Sequence, residues 1–519
     1  MKLIQPPVPV PESKIWTLSD EFYVGRGEEA WSQKLVPQGV TSNCYIADVY
    51  AAIIAAFFRD LASQGCREVP LIIEAGGGSG RFAWAFLHRL LHYHLPGEAA
   101  RPAFNYLLTD GAPRNIENWK TKKRFAPFVE SGLLDFGTLW VQDTLEIRTE
   151  KSGVLTVDNL GRRPVVLITN YLHCSIPCDL YRVRDHRIYR ELIALDERAP
   201  EEVPKDGGPL HRIKPRFTSE ERSLPYTGHV GIDRVLENYR ALPGDQCVPV
   251  PVPSIRFLEI FLRRDAPFLN LGSDLGYTKA TAFHDTHPFL FEHYLAYYTN
   301  FHMMGEIVRE FGGMVEFPVF ADRSLATVAF MRAGPLRGLP ETARAAHAQL
   351  SCFSPWDAYR ILKNLRKHRA AASTRDIAGW LRLSRCDPGL ARACLPVFRE
   401  RVGEEKGINP EPVRELFLEA YRAWFPDGSK SEDFDIEIAD LFIQLGLHED
   451  ARQLLESGAA EFGRTPVRLY SLAVALIHLE HFDEARAFVE ESARADPEFE
   501  PARKLIDKFR AAESGESGL

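Results

Sequence analysis

The hydrophobic and polar positions of this chain follow one pattern up to about residue 335 and another pattern after it. In the first part, short apolar runs rich in β-forming residues end at polar or small residues and alternate with helical stretches. These runs cover residues 67–73, 104–109, 138–142, 164–169 and 266–271. Buried strands that alternate with helices are typical of βαβ units. The pattern therefore predicts an α/β fold with a parallel sheet for residues 1–335.

Two segments of this first part depart from the βαβ pattern. Residues 180–193 alternate on both sides of Asp185 and His186, which predicts a β-hairpin. Residues 196–253 are rich in Pro, Gly and charged residues, and we expect them to form an insertion with long loops.

Apolar residues at helical spacing dominate from about residue 340 onward. Two similar segments begin at Leu445 and Leu479, 34 residues apart, and Ala451 and Ala485 keep the same offset. A period of about 34 residues with small residues at helix contacts is typical of tetratricopeptide (TPR) repeats. We predict an all-α, TPR-like domain over residues 341–514, with a plain helical bundle as the alternative.

Composition and charge exclude several classes of partner. The 519 residues are 45% hydrophobic and carry a net charge of −8, so we expect a globular protein that does not bind nucleic acid. The longest apolar stretch, residues 45–62, contains three charged residues and is too short to cross a bilayer. No apolar signal segment opens the chain, and the eight cysteines are scattered. These features predict a cytoplasmic protein without a membrane partner.

The segment LIIEAGGGSGRF has the most specific chemistry in the sequence. Glu74 ends an apolar run, Gly76, Gly78 and Gly80 follow at alternate positions, and a helical pattern begins at Ala83. Glycines permit a tight turn and a close approach of the backbone to a ligand. The N–H groups at the start of the helix would face that ligand.

Two ligands fit this glycine turn. Gly78 to Ala83 match the dinucleotide fingerprint G-x-G-x-x-A, which would indicate an NAD-linked oxidoreductase. Glu74 together with Gly76, Gly78 and Gly80 resembles motif I of class I S-adenosylmethionine-dependent methyltransferases, in which the acid helps to anchor the amino acid part of the cofactor. A carboxylate beside a pyrophosphate would be repelled, which favours the methyl donor. A glycine turn without a ligand is the structural alternative.

Polar residues after the next two strands extend the candidate cofactor site. Asp110 follows the second strand, where a carboxylate can accept hydrogen bonds from ribose hydroxyls, and a role as N-cap of the helix that starts near Pro113 is an alternative compatible with the first. Gln142 and Asp143 follow the third strand. By resemblance to the methyltransferase fold, Asp143 would receive the adenine amino group. A solvated loop aspartate is the alternative.

The fourth strand and the following hairpin resemble a segment of the MidA-like family. Asn170 and Pro177 match that family's Asn and Pro, and the hairpin follows at the same place. Residues 39–54, 269–283 and 299–313 resemble further segments in the same order. The family comprises class I methyltransferases related to the mitochondrial factor that methylates an arginine of a complex I subunit. The resemblance implies a Rossmann-like methyltransferase domain, S-adenosyl-L-methionine as cofactor, and a place for Asn170 beside it.

The chain departs from the family where the acceptor would bind. Tyr171 and Cys174 stand where the family has acids. Paired carboxylates would orient a guanidinium, so their absence argues against arginine as the acceptor. We predict acceptor-side roles for Asn170, Tyr171, His173 and His302.

A group of histidines raises the question of a metal. His284, His287 and His293 lie close to Asp285 in the sequence. Their spacing matches no standard ligand signature, so we interpret them as loop residues and predict no metal.

These features predict an S-adenosylmethionine-dependent methyltransferase that methylates nitrogen on a protein or peptide side chain. The C-terminal helices would help to recruit that substrate, and a homodimer is a possible assembly. The alternative is a non-catalytic methyltransferase-fold protein that binds a partner as an assembly factor or scaffold. An NAD-linked oxidoreductase is a third hypothesis.

Overall fold

The structure is a computed structural model that describes residues 3–27, 29–33, 35–36, 39–95, 97, 103–204, 208–291, 294–319, 325–405, 407–426 and 433–514. The chain divides into two compact units, Met1–Tyr359 and Arg360–Leu519.

The strands are β1 (Leu3–Pro9), β2 (Leu71–Ala75), β3 (Asn105–Asp110), β4 (Leu134–Leu139), β5 (Glu146–Thr149), β6 (Gly153–Thr156), β7 (Val165–Ile168), β8 (Asp179–Arg184), β9 (Arg187–Glu197), β10 (Ile213–Arg222), β11 (Gln246–Val250), β12 (Phe268–Asp274), β13 (Gly276–Tyr277), β14 (Phe289–Phe291), β15 (Leu295–Tyr297), β16 (Thr299–Asn300), β17 (Met314–Glu316) and β18 (Ala326–Arg332).

The helices are α1 (Lys14–Arg26), α2 (Glu29–Ser32), α3 (Cys44–Ser63), α4 (Arg81–Arg89), α5 (Pro113–Thr121), α6 (Ala126–Glu130), α7 (Val157–Leu160), α8 (Val230–Tyr239), α9 (Val252–Leu262), α10 (Phe301–Glu310), α11 (Pro340–Leu350), α12 (Pro355–His368), α13 (Thr374–Leu383), α14 (Pro388–Glu404), α15 (Pro410–Ala423), α16 (Phe434–Gln444), α17 (His448–Phe462), α18 (Pro466–His478), α19 (Phe482–Ala495) and α20 (Glu500–Ser514).

A nine-stranded mixed sheet forms the centre of the first unit, in the order β17-β18-β12-β7-β2-β3-β4-β5-β6. The strands β12, β7, β2, β3 and β4 run parallel, as the apolar runs predict. Strand β18 is antiparallel to both of its neighbours. The chain enters at β2, proceeds outward to the edge strand β6, and returns to the other side of β2 at β7. In open α/β sheets such a reversal opens a crevice at the carboxyl ends of the strands.

A second, five-stranded antiparallel sheet contains β1, β9, β8 and β11, with β10 paired to β9. It includes the predicted hairpin, formed by β8 and β9. The expectation of long loops across residues 196–253 is wrong, because β10, α8 and β11 lie within this segment. Strand β10 pairs with β9 over its own whole length but is rich in charged residues and contains Pro215, which is tolerated in an edge strand. Because of this composition, the sequence pattern does not indicate a strand here.

The predicted buried helix is α3, most of whose residues are inaccessible to solvent. Asp60 of this helix is buried too. Hydrogen bonds compensate its burial, because its carboxylate accepts from the backbone N–H of Thr342, at 2.8 Å, and from the Thr342 hydroxyl, at 2.7 Å. Helix α11 therefore belongs to the first unit, which extends past residue 335. No helix among the described residues is long and apolar enough to cross a membrane.

The second unit is all-helical, as the sequence predicts for this region, and contains α13 to α20. Helices α16 to α19 pack in sequence, and α17 and α19 begin 34 residues apart, at His448 and Phe482. Ala451 and Ala485, which share the predicted offset, are both fully buried. The small side chains lie at the helix contacts of the unit.

Candidate functional site

The glycine turn connects β2 to α4 through a backbone that requires glycine. Gly76, Gly78 and Gly80 have φ values of 78°, 54° and 78°, in the left-handed region that favours this residue. Gly77 is needed for a different reason, because a Cβ at this position would lie 2.3 Å from a side-chain carbon of Leu108. The turn therefore combines unusual torsions with close packing against β3.

Asp110, at the end of β3, holds the glycine turn in place. Its Oδ2 accepts a hydrogen bond from the backbone N–H of Gly78 at 2.9 Å, and its Oδ1 accepts one from Ala112 at 2.8 Å. Helix α5 has Ala112 as its N-cap, so the alternative role of Asp110 as a helix cap is excluded. The Asn115 side chain and the Gly111 backbone also interact with this carboxylate, which lines the cavity described below.

Glu74, at the end of β2, is a buried carboxyl group next to the turn. The phenol of Tyr106 donates a hydrogen bond to its Oε2. Burial, together with the charge of Asp110, raises the pKa of Glu74 to about 8, although the hydrogen bond from Tyr106 opposes this shift. Burial also raises the pKa of Asp110. Two carboxyl groups at one edge of the sheet thus favour a positively charged ligand.

A cavity of about 220 Å³ opens at this edge of the sheet. It is bounded by the glycine turn, by the carboxyl ends of β2, β3, β4 and β7, and by residues of α1 and of the segment before β15. Asp20, Glu74 and Asp110 are its acidic residues, and the described part of the lining contains no Lys, Arg or His. Its remaining described residues are mostly apolar, aromatic or small, among them Phe82, Leu139, Trp140, Val141, Leu172, Ile176, Leu275 and Ala296.

Asn170 and Tyr171, after β7, reach this cavity, as does Cys174. The Asn170 Oδ1 accepts hydrogen bonds from the Tyr50 hydroxyl at 2.9 Å and from the backbone N–H of Ser273 at 3.2 Å. These two donors fix which way the amide points. Tyr171 has a φ of 50°, an unusual value for a residue with a side chain. Such strain is common at functional sites, where the surrounding structure maintains it.

Gln142 and Asp143 lie outside the cavity, which corrects the predicted cofactor contacts. Both side chains are exposed, and Asp143 pairs with Arg256 at 2.8 Å. Strand β4 ends at Leu139, three residues earlier than predicted. In consequence Trp140 lines the cavity instead, with its indole over Gly111.

His173 and His302 also lie outside the described lining of the cavity, which corrects their predicted acceptor-side roles. His173 is fully buried, its Nε2 is 3.2 Å from the Thr169 hydroxyl, and burial lowers its pKa to about 3. The Nδ1 of His302 is 2.8 Å from the Tyr239 hydroxyl, and burial lowers its pKa. Both are neutral histidines that contribute to packing.

The histidine group near residue 285 forms no metal site in the part of the chain that the structure describes. The Nε2 of His287 is 2.9 Å from a carboxylate oxygen of Glu191, and its ring stacks on Phe217 with the centroids 3.8 Å apart. His293 lies outside the described residues.

The structure adds site residues that the sequence analysis missed. Tyr23, from α1, and Tyr294, before β15, line the cavity, and no local pattern indicates them. Asp274 is the last residue of β12, and Glu74 is the last but one of β2, so an acid at the end of an apolar run is a signal that could have indicated Asp274. It accepts backbone hydrogen bonds from Cys174 at 2.9 Å and Leu275 at 2.8 Å, and burial raises its pKa to about 7.

The chain matches no protein-family model and no curated protein. Over 64% of its length it is similar to the structure of an uncharacterized ACR protein from Burkholderia thailandensis, covering 97% of that chain at 12% identity and a TM-score of 0.35. The structure of a likely methyl transferase from the same organism, bound to S-adenosyl-homocysteine, has the same coverage at 13% identity and a TM-score of 0.35. An O-methyltransferase family protein from B. thailandensis aligns with 63% of this chain and 65% of its own, at 9% identity and a TM-score of 0.28. At these scores the similarities assign no activity to this chain.

Proposed function

We propose that this protein is an S-adenosyl-L-methionine-dependent methyltransferase of the MidA-like type. The observation that carries the proposal is the meeting of a glycine turn with two buried carboxyl groups, Glu74 and Asp110, in one cavity at the reversal of the sheet. An ammonium group beside Glu74 would lower the raised pKa of this carboxyl group and ionise it, whereas the pyrophosphate of NAD would be repelled by the charge of Asp110. The cavity therefore favours the methyl donor over the dinucleotide.

The residues of the cavity offer a place for each part of that cofactor. Glu74 suits the ammonium of the amino acid part, and the Asp110 carboxylate, which lines the cavity, suits the ribose hydroxyls. Trp140, whose side chain is 45% exposed, presents an aromatic face for the adenine. The backbone at Gly78 allows close approach because it has no side chain. When bound, the cofactor supplies an electrophilic methyl group, and this chain contributes mainly positioning.

The acceptor in this proposal is a nitrogen of a protein or peptide side chain. Helix pairs that repeat after about 34 residues, as α17 and α19 do, support TPR-like packing, and such stacks form concave surfaces that bind peptides. The second unit would thus recruit the substrate.

A non-catalytic scaffold is the second candidate. Tyr171 and Cys174 reach the cavity at the positions where the resemblance implies acids. A protein that retained the cofactor cavity but had lost acceptor chemistry would have this composition.

Mass measurement on partner proteins from a cell extract tests the proposal. The purified full chain is incubated with a cell extract and S-adenosylmethionine carrying a labelled methyl group. We expect label and a gain of about 14 daltons on a specific protein or peptide, both lost in Asp110→Asn. Retention of partners without any transfer would favour the scaffold.

A further inference from the structure

Three tyrosines from distant parts of the chain form one side of the cavity, which we name the tyrosine wall (Tyr23, Tyr171 and Tyr294). The ring centroids of Tyr23 and Tyr294 are 6.3 Å apart, with their planes at 53°. Tyr171 is close enough to Tyr294 for the two phenols to interact electrostatically. All three side chains are partly exposed. A ligand in this half of the cavity would therefore touch aromatic faces.

The charge of the tyrosine wall favours cations. Burial raises the pKa values of Tyr23 and Tyr171 well above the usual range, so these phenols stay neutral and keep the negative face of the ring. Asp20, from the same helix as Tyr23, adds an exposed carboxylate to the lining. A carboxylate or phosphate ligand would meet Asp20, Glu74 and Asp110 in the same cavity.

The wall suits an ammonium ion better than a guanidinium. A guanidinium is recognised by a planar carboxylate with both oxygens available. Asp274, the buried acid behind this part of the cavity, uses both oxygens to accept the backbone N–H groups of Cys174 and Leu275. Aromatic faces attract either cation, and one exposed carboxylate beside them, Asp20, supplies the counter-charge that the compact ammonium of an aliphatic amine needs as a point charge.

We infer that the methyl acceptor is an aliphatic amine, which enters as an ammonium ion and is held by the tyrosine wall with Asp20 as its counter-charge. The inference rests on the proposed function. The ammonium first loses one proton to solvent at the cavity mouth. The nitrogen lone pair then forms the N–C bond to the methyl group while the C–S bond breaks and its electron pair stays on sulfur. The products are S-adenosylhomocysteine and the methylated ammonium.

Calorimetry on the full chain saturated with S-adenosylhomocysteine tests the inference. The probes are the N-acetyl methylamides of lysine, arginine, glutamate and norleucine. We expect the lysine probe to bind more tightly than the arginine and norleucine probes, and the glutamate probe not to bind. Tyr294→Leu should weaken the lysine probe by about 2- to 30-fold, whereas Tyr294→Phe keeps the aromatic face and most of the affinity.

Two controls make the result decisive. Tyr189→Leu removes a tyrosine that packs beside Arg184 outside the described lining of the cavity, and should leave the affinity of the lysine probe unchanged. Asp20→Asn tests the counter-charge if Tyr294→Leu does not fold, and should weaken only the charged lysine and arginine probes. If the arginine or glutamate probe bound as tightly as the lysine probe, or more tightly, the inference would be overturned but the proposed function would not. A folded protein that binds no S-adenosylhomocysteine would overturn the proposed function with it.

Discussion

Two aspartates that follow neighbouring strands have opposite surroundings. Asp110 is buried and holds the glycine turn through Gly78, whereas Asp143 is exposed and pairs with Arg256. We predict that Asp110→Asn weakens S-adenosylhomocysteine binding by about 10- to 100-fold, because hydrogen bonds to a charged acceptor contribute about 1.5–3 kcal/mol. The matched control Asp143→Asn should change the affinity by less than about twofold, since exposed ion pairs contribute little. Calorimetry that gives equal effects for both variants would contradict this assignment.

The raised pKa of Glu74 links stability to pH. The unfolded chain loses this proton near the ordinary value of 4.5, while the folded protein keeps it up to about 8. The folded state therefore binds more protons between these values, and the stability from Glu74 is complete below 4.5 and lost as the pH rises through 8. We expect the unfolding free energy of Glu74→Gln to fall less between pH 5 and pH 8 than that of the native protein. Parallel curves in urea denaturation would refute the link.

At the scale of elements, the glycine turn depends on its packing against β3. We predict that Gly77→Ala destabilises the protein by about 1–3 kcal/mol, because the added Cβ would lie 2.3 Å from Leu108. Cofactor affinity should fall as well, since the turn must shift. Gly25→Ala is the control, because a Cβ there meets no atom within 4 Å. Thermal unfolding and calorimetry would show whether the two variants differ.

The sequence predicts elements better than it predicts where they end. The strand, turn and helix around the glycines follow from local patterns, and so do the hairpin and the helical C-terminal region. The end of β4 does not, because the apolar residues continue through Trp140 and Val141 after the pairing with β5 stops at Leu139. As a result, the residues predicted to contact the adenine after this strand are exposed. The tyrosine wall was also missed, because Tyr23 and Tyr294 meet only through the tertiary fold.

At the scale of the whole molecule, the second unit contains a buried ion pair that couples α16 to α18. The guanidinium of Arg468 donates to both oxygens of Asp435, at 2.7 and 3.0 Å, and both side chains are almost fully buried. We predict that Arg468→Met destabilises the second unit by about 3–5 kcal/mol, because an unpaired carboxylate remains buried. Substrate methylation should fall while S-adenosylhomocysteine affinity is retained.

Hydrogen exchange combined with calorimetry checks this separation of roles. The control Arg452→Met removes ion pairs with the exposed Glu449 and Glu456 and should cost less than about 1 kcal/mol. If Arg468→Met lost cofactor affinity while its first unit stayed intact, cofactor binding would also depend on the second unit, which contradicts the prediction.

Binding of S-adenosylmethionine in the cavity at the sheet reversal decides the proposed function, and calorimetry on the intact native protein measures it. We predict saturable binding of one S-adenosylmethionine or S-adenosylhomocysteine per chain and no binding of NAD. Folded protein that binds neither sulfur compound, or that binds NAD instead, would contradict it.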